Sequence, residues 1–378
     1  MASSASTLRK RKEPASDEGP CQRPHPSEQQ IPCKKPVSWS GLWYGSDCSG
    51  LDAGAFALKR LSSEFRHWFG SESHEPYRRV FSTLHPTCEN VFSDAQRKPF
   101  NDLQKERKSS RNSTKAMVYT AGFPCQPFSR AGLGLAMSDE RAAVIWDILL
   151  TIAMLLPEIW LLENVKDLAC DQKYRETFRE ILDFCVKIGG GAYFVDWQVL
   201  DSYEYGVPAT RCRVYIVGVL KGKLCQPWQW PKPLPKASLS SILVPRRKDE
   251  EKDIRSLSTT CLRNLAGAFQ KISKKGDASW KKKPWVVDCQ NSSSRGVHFT
   301  FDRFPTITKS HAAGLWIVSK NDFAKPVELL AGQGILPIDL PVEIDSLPVG
   351  TISQMAGNAF TLNVVKCLLD ILLEAIGY

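Results

Sequence analysis

The sequence lacks several features that would each place it in a particular class of protein. It has no apolar run long enough to span a bilayer, no charged-then-apolar segment typical of a secretory signal, and no internal repeat. Its twelve cysteines form no C-x-x-C pair and no Cys/His cluster at zinc spacing. These absences argue against membrane embedding, a metal site and a disulfide framework, and they favour a reducing compartment.

Positive charge is present, and it is unevenly distributed. The net charge is +10, and residues 220–300 hold seventeen Lys or Arg against six Asp or Glu. Trp228, Trp230, Trp280 and Trp285 lie in the same segment. A solvated surface is the ordinary interpretation of a charge run, but basic residues interleaved with aromatics suit contacts with phosphates and bases. We therefore expect a nucleic-acid partner.

Composition divides the chain into four parts. Residues 1–38 are rich in Ser, Pro, Gln and charge, and they predict a disordered basic tail. Its cluster Arg9-Lys10-Arg11-Lys12 is typical of a nuclear address or of a non-specific nucleic-acid anchor, and we favour the nucleus. The remaining parts are a large domain over 39–220, a basic region over 221–300, and a return to the large domain over 301–378 that ends in an apolar helix.

Short apolar runs alternate with helical patterns from about residue 40 to residue 220. Strands are expected near 42–48, 65–72, 88–93, 116–121, 158–163, 192–200 and 213–220. Helices are expected near 53–63, 76–84, 139–156 and 173–188, and residues 101–115 are expected to form a polar surface loop. This alternation predicts an α/β fold with a doubly wound, mostly parallel sheet. Ligands bind such sheets beyond the carboxyl ends of the strands, where Gly50, Glu72, Asp94, Cys125 and Glu163 all fall.

Cys125 lies in Gly-Phe-Pro-Cys-Gln-Pro-Phe-Ser, directly after an apolar run. A proline on either side stiffens the backbone around the sulfur, which suits a nucleophile held at a strand end. Glu163 ends the next apolar run in Leu-Leu-Glu-Asn-Val. A buried, inert cysteine is the alternative interpretation of Cys125.

Pro124-Cys125-Gln126 followed by Glu163-Asn164-Val165 resembles the DNA (cytosine-5) methyltransferase family. The resemblance implies a Rossmann-like fold that binds S-adenosylmethionine over 39–220 and a target-recognition region over 221–300. It implies transfer of a methyl group to carbon 5 of cytosine in double-stranded DNA, through a covalent bond from Cys125 to carbon 6 of a flipped-out base. Glu163 would bind the ring, and Arg211 and Arg213 would supply a positive field that favours the thiolate.

The resemblance also implies the residues that hold the cofactor. They follow strand ends or precede the C-terminal helix: Asp47, Cys48, Ser49, Gly50, Leu51, Glu72, Asp94, Pro124 and Asn358. For each acid the alternative is a helix cap or turn residue. The chain departs from the family pattern at Cys48, at Asp52-Ala53, at Ala209 where a Gln is usual, and by one extra residue before Gly357.

Two other functions fit part of this pattern. Leu162-Glu163-Asn164-Val165-Lys166 is similar to the tRNA-methylating branch of the family, although the Cys-Phe-Thr signature of that branch is absent. A catalytically inactive DNA-binding regulator would keep the fold without the chemistry. A dinucleotide oxidoreductase is remote, because G-x-G-x-x-G is missing from the first turn. The sequence leaves open the base context, the preference for hemimethylated sites, the regulation and the oligomeric state.

Overall fold

The computed structural model describes residues 38–378 except 62–63, 97, 112–113, 125–142 and 248–255. Its large sheet contains β1 (Gly41–Asp47), β2 (Phe65–Ser71), β3 (Asn90–Phe92), β4 (Lys115–Gly122), β5 (Ile159–Val165), β6 (Tyr193–Asp201) and β7 (Cys212–Leu220). The strand order is β3-β2-β1-β4-β5-β7-β6. The first five of these strands in the sheet pair in parallel, and β7 runs antiparallel to both β5 and β6. The predicted α/β fold with a mostly parallel sheet is confirmed.

Helices cover both faces of this sheet. Those of the described residues are α1 (Ala53–Arg60), α2 (Glu75–Leu84), α3 (Phe100–Arg111), α4 (Val144–Leu155), α5 (Asp167–Cys170), α6 (Arg175–Gly191), α7 (Thr259–Ser273), α8 (Pro326–Gly332), α9 (Val349–Asn358) and α10 (Leu362–Ala375). Apolar residues of α1, α2 and α10 form one core against the sheet, and those of α4 and α6 form another on the opposite face. The strands β1, β4 and β5 are buried almost throughout, as expected for parallel strands covered on both sides.

None of these helices alone combines the length and apolar character needed to cross a membrane. The pair α9 and α10 reaches that length only together, and it bends by 48° at the break.

The loop predicted over 101–115 is wrong, because α3 covers most of it. Leu103 of this helix is buried in the second core. Four residues on, Arg107 donates to the carboxylate of Glu158 at 2.6 Å and is itself buried. Since residues four apart share one face of a helix, Leu103 and Arg107 anchor a narrow stripe of an otherwise polar helix. The polar composition of residues 101–115 therefore led to the prediction of a loop instead of a helix.

A second, smaller sheet has its own core. It contains β8 (Trp285–Asp288), β9 (Phe299–Phe301), β10 (Leu315–Ile317) and β11 (Asp322–Phe323), in the antiparallel order β11-β10-β8-β9. Helix α7 packs on it through a cluster of buried side chains: Cys261, Leu265, Ala268, Ile272, Trp285, Val287 and Trp316. This unit therefore takes strands from both sides of residue 300.

The tryptophans of the basic region belong to these cores. Trp228 and Trp230 donate from their indole nitrogens to one carboxylate oxygen of Asp196, at 3.2 and 2.7 Å. Both pack against the core of the large sheet. Trp285 is buried under α7, and Trp280 contacts Phe269 with ring centroids 5.1 Å apart. The interpretation of these rings as surfaces for bases is wrong for Trp285, which is buried, and the contacts of Trp228, Trp230 and Trp280 use part of each ring inside the protein.

Arg246 joins the two units. Its guanidinium contacts Asp322 of β11 at 2.9 Å and Glu328 of α8 at 2.8 Å. It also donates to the carbonyl of Phe323 at 3.0 Å. All three charged side chains are buried or nearly so, and α8 belongs to the core of the large sheet. Arg246 belongs to the basic run of residues 220–300, but its role is therefore to stabilise the structure.

Candidate active site

A cavity of about 780 Å³ opens at the carboxyl ends of β1, β2, β4 and β5. Two stretches form most of its first wall: the turn over 46–54, and the end of β4 with the residues that follow it, 120–124. The opposite wall comes from residues 308–310 and 350–360, far away in the sequence. This volume is in the range of sites that hold a nucleotide-sized ligand.

The turn between β1 and α1 has an unusual backbone. Cys48, Gly50 and Asp52 all adopt left-handed conformations, with φ of 52°, 51° and 53°. The N–H of Ser49 donates to the carbonyl of Ser71 at 2.8 Å, which fastens the turn to the end of β2. Ser49, Gly50 and Leu51 border the cavity, as does Cys48, whose pKa is raised well above its ordinary value by burial and by the Asp47 carboxylate. The turn thus brings backbone groups and small side chains to the cavity.

Asp47 also borders the cavity, but its carboxylate is directed into the protein. It forms a fully buried ion pair with Lys98 and accepts a hydrogen bond from the hydroxyl of Tyr119 at 2.6 Å. Any contact that Asp47 makes with a ligand would therefore come from its backbone.

Replacing Lys98 by Met is expected to lower the free energy of unfolding by about 3–5 kcal/mol, because the Asp47 charge would stay buried without its cation. The double variant Asp47→Asn with Lys98→Met removes both charges and should recover most of this loss. Urea unfolding followed by circular dichroism measures both. A single variant within about 1 kcal/mol of the wild type would contradict the assigned role of the pair.

Glu72 and Asp94, the two acids expected to bind the cofactor, lie in different settings. The carboxylate of Glu72 accepts the N–H groups of Gly50 at 3.1 Å and His74 at 2.9 Å, and it borders the cavity. Burial raises the pKa of Glu72 despite these two hydrogen bonds. Asp94 is half-buried and accepts the N–H of Gln96 at 3.1 Å, as a turn residue does. Within the described part of the chain, Asp94 is not among the residues lining the cavity.

Glu163 lies at the end of β5 on the cavity wall. It is 6 % exposed, and its Oε1 atom is 3.1 Å from Nε of Arg213 and 4.0 Å from Nη2 of Arg211. Burial raises the pKa of Glu163, and the charges of Arg213 and Arg211 offset only part of that rise. Arg211 also donates to the carbonyls of Ile307 and Gly357, at 3.0 and 3.1 Å. Arg213 is therefore the closer cation, while Arg211 ties the two walls together.

The strand that leads to Cys125 ends beside Glu163. Gly122 of β4 is the register partner of Glu163, and Pro124 borders the same cavity. The side-chain amide of Asn164 donates to the carbonyl of Phe123 at 3.1 Å. Asn164 thus holds the two strand ends together. Cys125 itself lies outside the described residues, and its predicted role stays a prediction.

The far wall contains Asn358, which the sequence predicted, together with residues that the sequence analysis did not name, among them Gln354 and Phe360. Asn358 is exposed at the end of α9 and borders the cavity. Gln354 accepts the hydroxyl of Tyr77 at 2.9 Å, which links α9 to α2. The ring of Phe360 packs so closely on Gly122 that a Cβ there would lie 2.3 Å from it. The single sequence signal for this wall was the motif around Asn358.

Ala209, where the family pattern has Gln, is 1 % exposed and belongs to the core of the large sheet. Its carbonyl accepts the hydroxyl of Ser202 at 2.5 Å. Among the described residues that line the cavity, Ala209 is not found. The departure at this position therefore leaves the contacts of Glu163, Arg211 and Arg213 in place.

Comparison with known proteins agrees with this geometry. Residues 48–327 match the family of C-5 cytosine-specific DNA methylases. The chain belongs to this family. It is 32 % identical over 295 residues to the type II methyltransferase M.NgoBI of Neisseria gonorrhoeae, covering 74 % of this chain and 84 % of that protein. The resemblance drawn from the motifs is confirmed.

Other cytosine-5 methylases match over shorter stretches. The type II methyltransferase M.HaeII of Haemophilus aegyptius is 38 % identical over 170 residues, which is 41 % of this chain. The chain spans about half the length of M.HaeII, 51 %.

Solved structures share the fold of this methylase. A mutant form of Spodoptera frugiperda DNMT2 has a TM-score of 0.59 at 18 % identity, covering 88 % of this chain and all of that one. The Entamoeba histolytica methyltransferase EhMeth has a TM-score of 0.59 at 15 % identity, covering 89 % of this chain and 98 % of that one. At these identities the similarity is one of fold alone.

The methyl donor of this family, S-adenosylmethionine, fits the cavity. Glu72 is held by two backbone N–H groups at the end of β2, where an acid of a doubly wound fold binds ribose hydroxyls. Cys48, Ser49 and Gly50 of the turn between β1 and α1 have small side chains or none, which lets a ligand approach the backbone there. The Glu72 carboxylate, the small residues of the turn and the volume of the cavity therefore suit this cofactor.

Proposed function

We propose that this protein transfers a methyl group from S-adenosylmethionine to carbon 5 of cytosine in double-stranded DNA. The observation that carries the proposal is that Glu163 and Arg213, 3.1 Å apart, share one cavity with the cofactor turn and with Pro124, the residue before Cys125. Family membership and the similarity to type II methyltransferases support the same reaction.

In the proposed mechanism, Cys125 attacks carbon 6 of the cytosine as a thiolate, which makes carbon 5 nucleophilic. S-adenosylmethionine, when bound, supplies the electrophilic methyl group. Glu163 binds the ring at N3 and the exocyclic amine, where its raised pKa favours holding a proton that stabilises the negative charge of the adduct. Arg213 fixes the Glu163 carboxyl from the other side. Transfer of the carbon-5 proton to solvent and expulsion of the Cys125 sulfur then release 5-methylcytosine, and the cofactor would leave as S-adenosylhomocysteine.

The cofactor would lie along the turn of the first wall. We place its ribose at Glu72 and its amino-acid part near Ser49 and Gly50. Asn358 and the ring of Phe360 would close the cavity from the far side. Cys48, Leu51 and Pro124 would form part of the surface against the cofactor, and Asp47 would contact it through its backbone. Asp94 would make an outer contact near the adenine.

The smaller unit with its antiparallel sheet would recognise the target. It contains exposed lysines of α7 and of the turn before β8, at positions 271, 274, 275, 281, 282 and 283. Lysines on one unit suit DNA phosphates, which form the larger part of protein–DNA contacts. Composition predicted this target-recognition region over 221–300, and we propose that it extends over about 256–323, where the core of the smaller sheet lies. A target base inside a duplex must be flipped out to reach the cavity.

The nucleus remains the compartment that we propose from Arg9–Lys12. That cluster lies outside the described residues, and the two type II methyltransferases reported above come from bacteria. Expression of a fluorescent fusion with these four residues changed to Ala, next to the unchanged chain, would decide whether they direct it.

Purified protein incubated with duplex DNA and S-adenosylmethionine is expected to produce 5-methylcytosine, read by bisulfite sequencing. A parallel reaction with tritium-labelled cofactor and tRNA tests the related RNA branch, and we expect no incorporation there. Incorporation of label into tRNA but not into DNA would show that tRNA is the substrate instead of DNA. An absence of both products, together with no calorimetric binding of the cofactor, would favour a non-catalytic DNA-binding regulator.

A further inference from the structure

A series of hydrogen-bonded polar side chains lies in and behind the cofactor turn, and three of its members, Ser46, Ser49 and Asp52, border the cavity. Asp52, which is 4 % exposed, accepts the hydroxyl of Ser46 at 3.0 Å and lies 3.3 Å from Nε2 of His67. The hydroxyls of Ser46 and Ser49 are 2.7 Å apart, and the Ser49 hydroxyl accepts the N–H of Ser71 at 3.0 Å. This series of contacts therefore runs from His67 on β2 through Asp52 and Ser46 to Ser49 in the turn.

The backbone around Asp52 is specialised for this carboxylate. Asp52 has a φ of 53°, a left-handed conformation that glycine adopts freely and that Asp and Asn tolerate better than other residues. Its carboxylate accepts the hydroxyl of Tyr44 and the N–H of Ala55, the latter at 3.3 Å. A Cβ at Gly54 would lie 2.2 Å from that same hydroxyl. The chain thus has an aspartate at position 52, where the backbone would suit glycine, and a glycine at position 54, where the Tyr44 hydroxyl needs space.

The surroundings of Asp52 keep it charged. Burial by itself raises the pKa of Asp52, but the contact with His67 and the hydrogen bond from Tyr44 are among the effects that outweigh it, so the net shift of the pKa is downward. His85 is held by the carbonyl of Leu51, at 3.0 Å from its Nε2 atom. Burial lowers the pKa of His85 to about 4. A buried carboxylate with several donors fixes their positions more firmly than a neutral group does.

We propose that Asp52 is a positioning residue for the cofactor turn, supported by His67. It acts through Ser46 and Ser49, whose hydroxyls it orients, and so holds the peptides that present Gly50 to Glu72. This inference rests on the proposed function, because it takes S-adenosylmethionine as the ligand of the turn. The alternative is that Asp52 is an aspartate tolerated at a left-handed position.

Asp52→Gly separates the two interpretations, since it relieves the strain and removes the carboxylate. We expect the Kd for S-adenosylhomocysteine, measured by calorimetry, to rise at least about tenfold, since hydrogen bonds to a charged group are lost. Asp52→Asn keeps an acceptor oxygen and should restore part of the affinity. Asn321→Gly is the matched control, because Asn321 is exposed, has a φ of 48° and does not line the cavity in the described structure; its Kd should match that of the wild type.

Hydrogen exchange on the ligand-free proteins gives a second readout. The amides of Ser49, Gly50 and Asp52 donate to Ser71, Glu72 and Ser49 respectively, and in Asp52→Gly they should exchange faster than in the wild type. A Kd within about twofold of the wild type, or unchanged exchange at these three amides, would overturn the proposal. If the wild type does not bind S-adenosylhomocysteine, the proposed function fails instead, and the exchange rates still decide whether Asp52 holds the turn.

Discussion

Replacing Glu163 by Gln is expected to lower kcat for methyl transfer to DNA by about 10²- to 10⁴-fold, the range that one general acid–base group contributes. The amide keeps the shape of the side chain next to Arg213, but it cannot hold or release the proton at N3 of the cytosine. Because burial raises the pKa of Glu163, its acid form persists to higher pH than that of an ordinary glutamate. The wild-type rate should therefore fall as the pH rises through that raised pKa, and this decline should be absent from Glu163→Gln.

The affinity for S-adenosylhomocysteine separates catalysis from damage to the fold. It should change by less than about threefold in Glu163→Gln, because the residue faces the base rather than the cofactor turn. Glu180→Gln, at an exposed position of α6, is the matched control and should keep the full rate. Full activity in Glu163→Gln would remove this carboxyl from the proposed mechanism.

Cys125→Ser is expected to reduce methylation to the limit of detection. An alcohol is far less acidic than a thiol, so no anion is available to attack carbon 6 at neutral pH. A duplex that carries 5-fluorocytosine offers a direct readout, because the fluorine at carbon 5 cannot leave as a proton does. The wild type should remain covalently attached to this DNA and migrate as a shifted band on a denaturing gel, whereas Cys125→Ser should not.

Cys170→Ser is the control for that experiment. Cys170 is exposed at the end of α5, and its replacement should leave the covalent band intact. A shifted band formed equally by Cys125→Ser would show that another nucleophile attacks the base, and the role given to the proline-flanked turn would be wrong.

The sequence predicted the large sheet because its strands are buried on both faces and carry continuous apolar runs. It missed α3, because a single buried leucine and one arginine with a buried partner do not produce a strong helical pattern. It also assigned Trp228 and Trp230 to the surface. Their shared partner, Asp196, lies more than thirty residues earlier in the chain, and composition carries no information about such a pairing.

The candidate site shows the same division between local and long-range information. The rule that ligands bind at strand ends led to Glu72 and Glu163, because each directly follows or ends an apolar run. The direction of the Asp47 side chain depended on Lys98, and the position of the far wall depended on Phe360, just after α9, meeting Gly122 of β4 across more than two hundred residues. Asp52 seemed a mere departure from a pattern until the structure brought His67 beside it.

The buried guanidinium of Arg246 has a consequence for how this protein meets its substrate. Because Asp322 and Glu328 hold it between the two units in a place that screening ions barely reach, the two units should keep their relative position across ionic strengths. Two units fixed in this way would not close around the DNA by a hinge motion. The double helix would therefore have to distort when it binds.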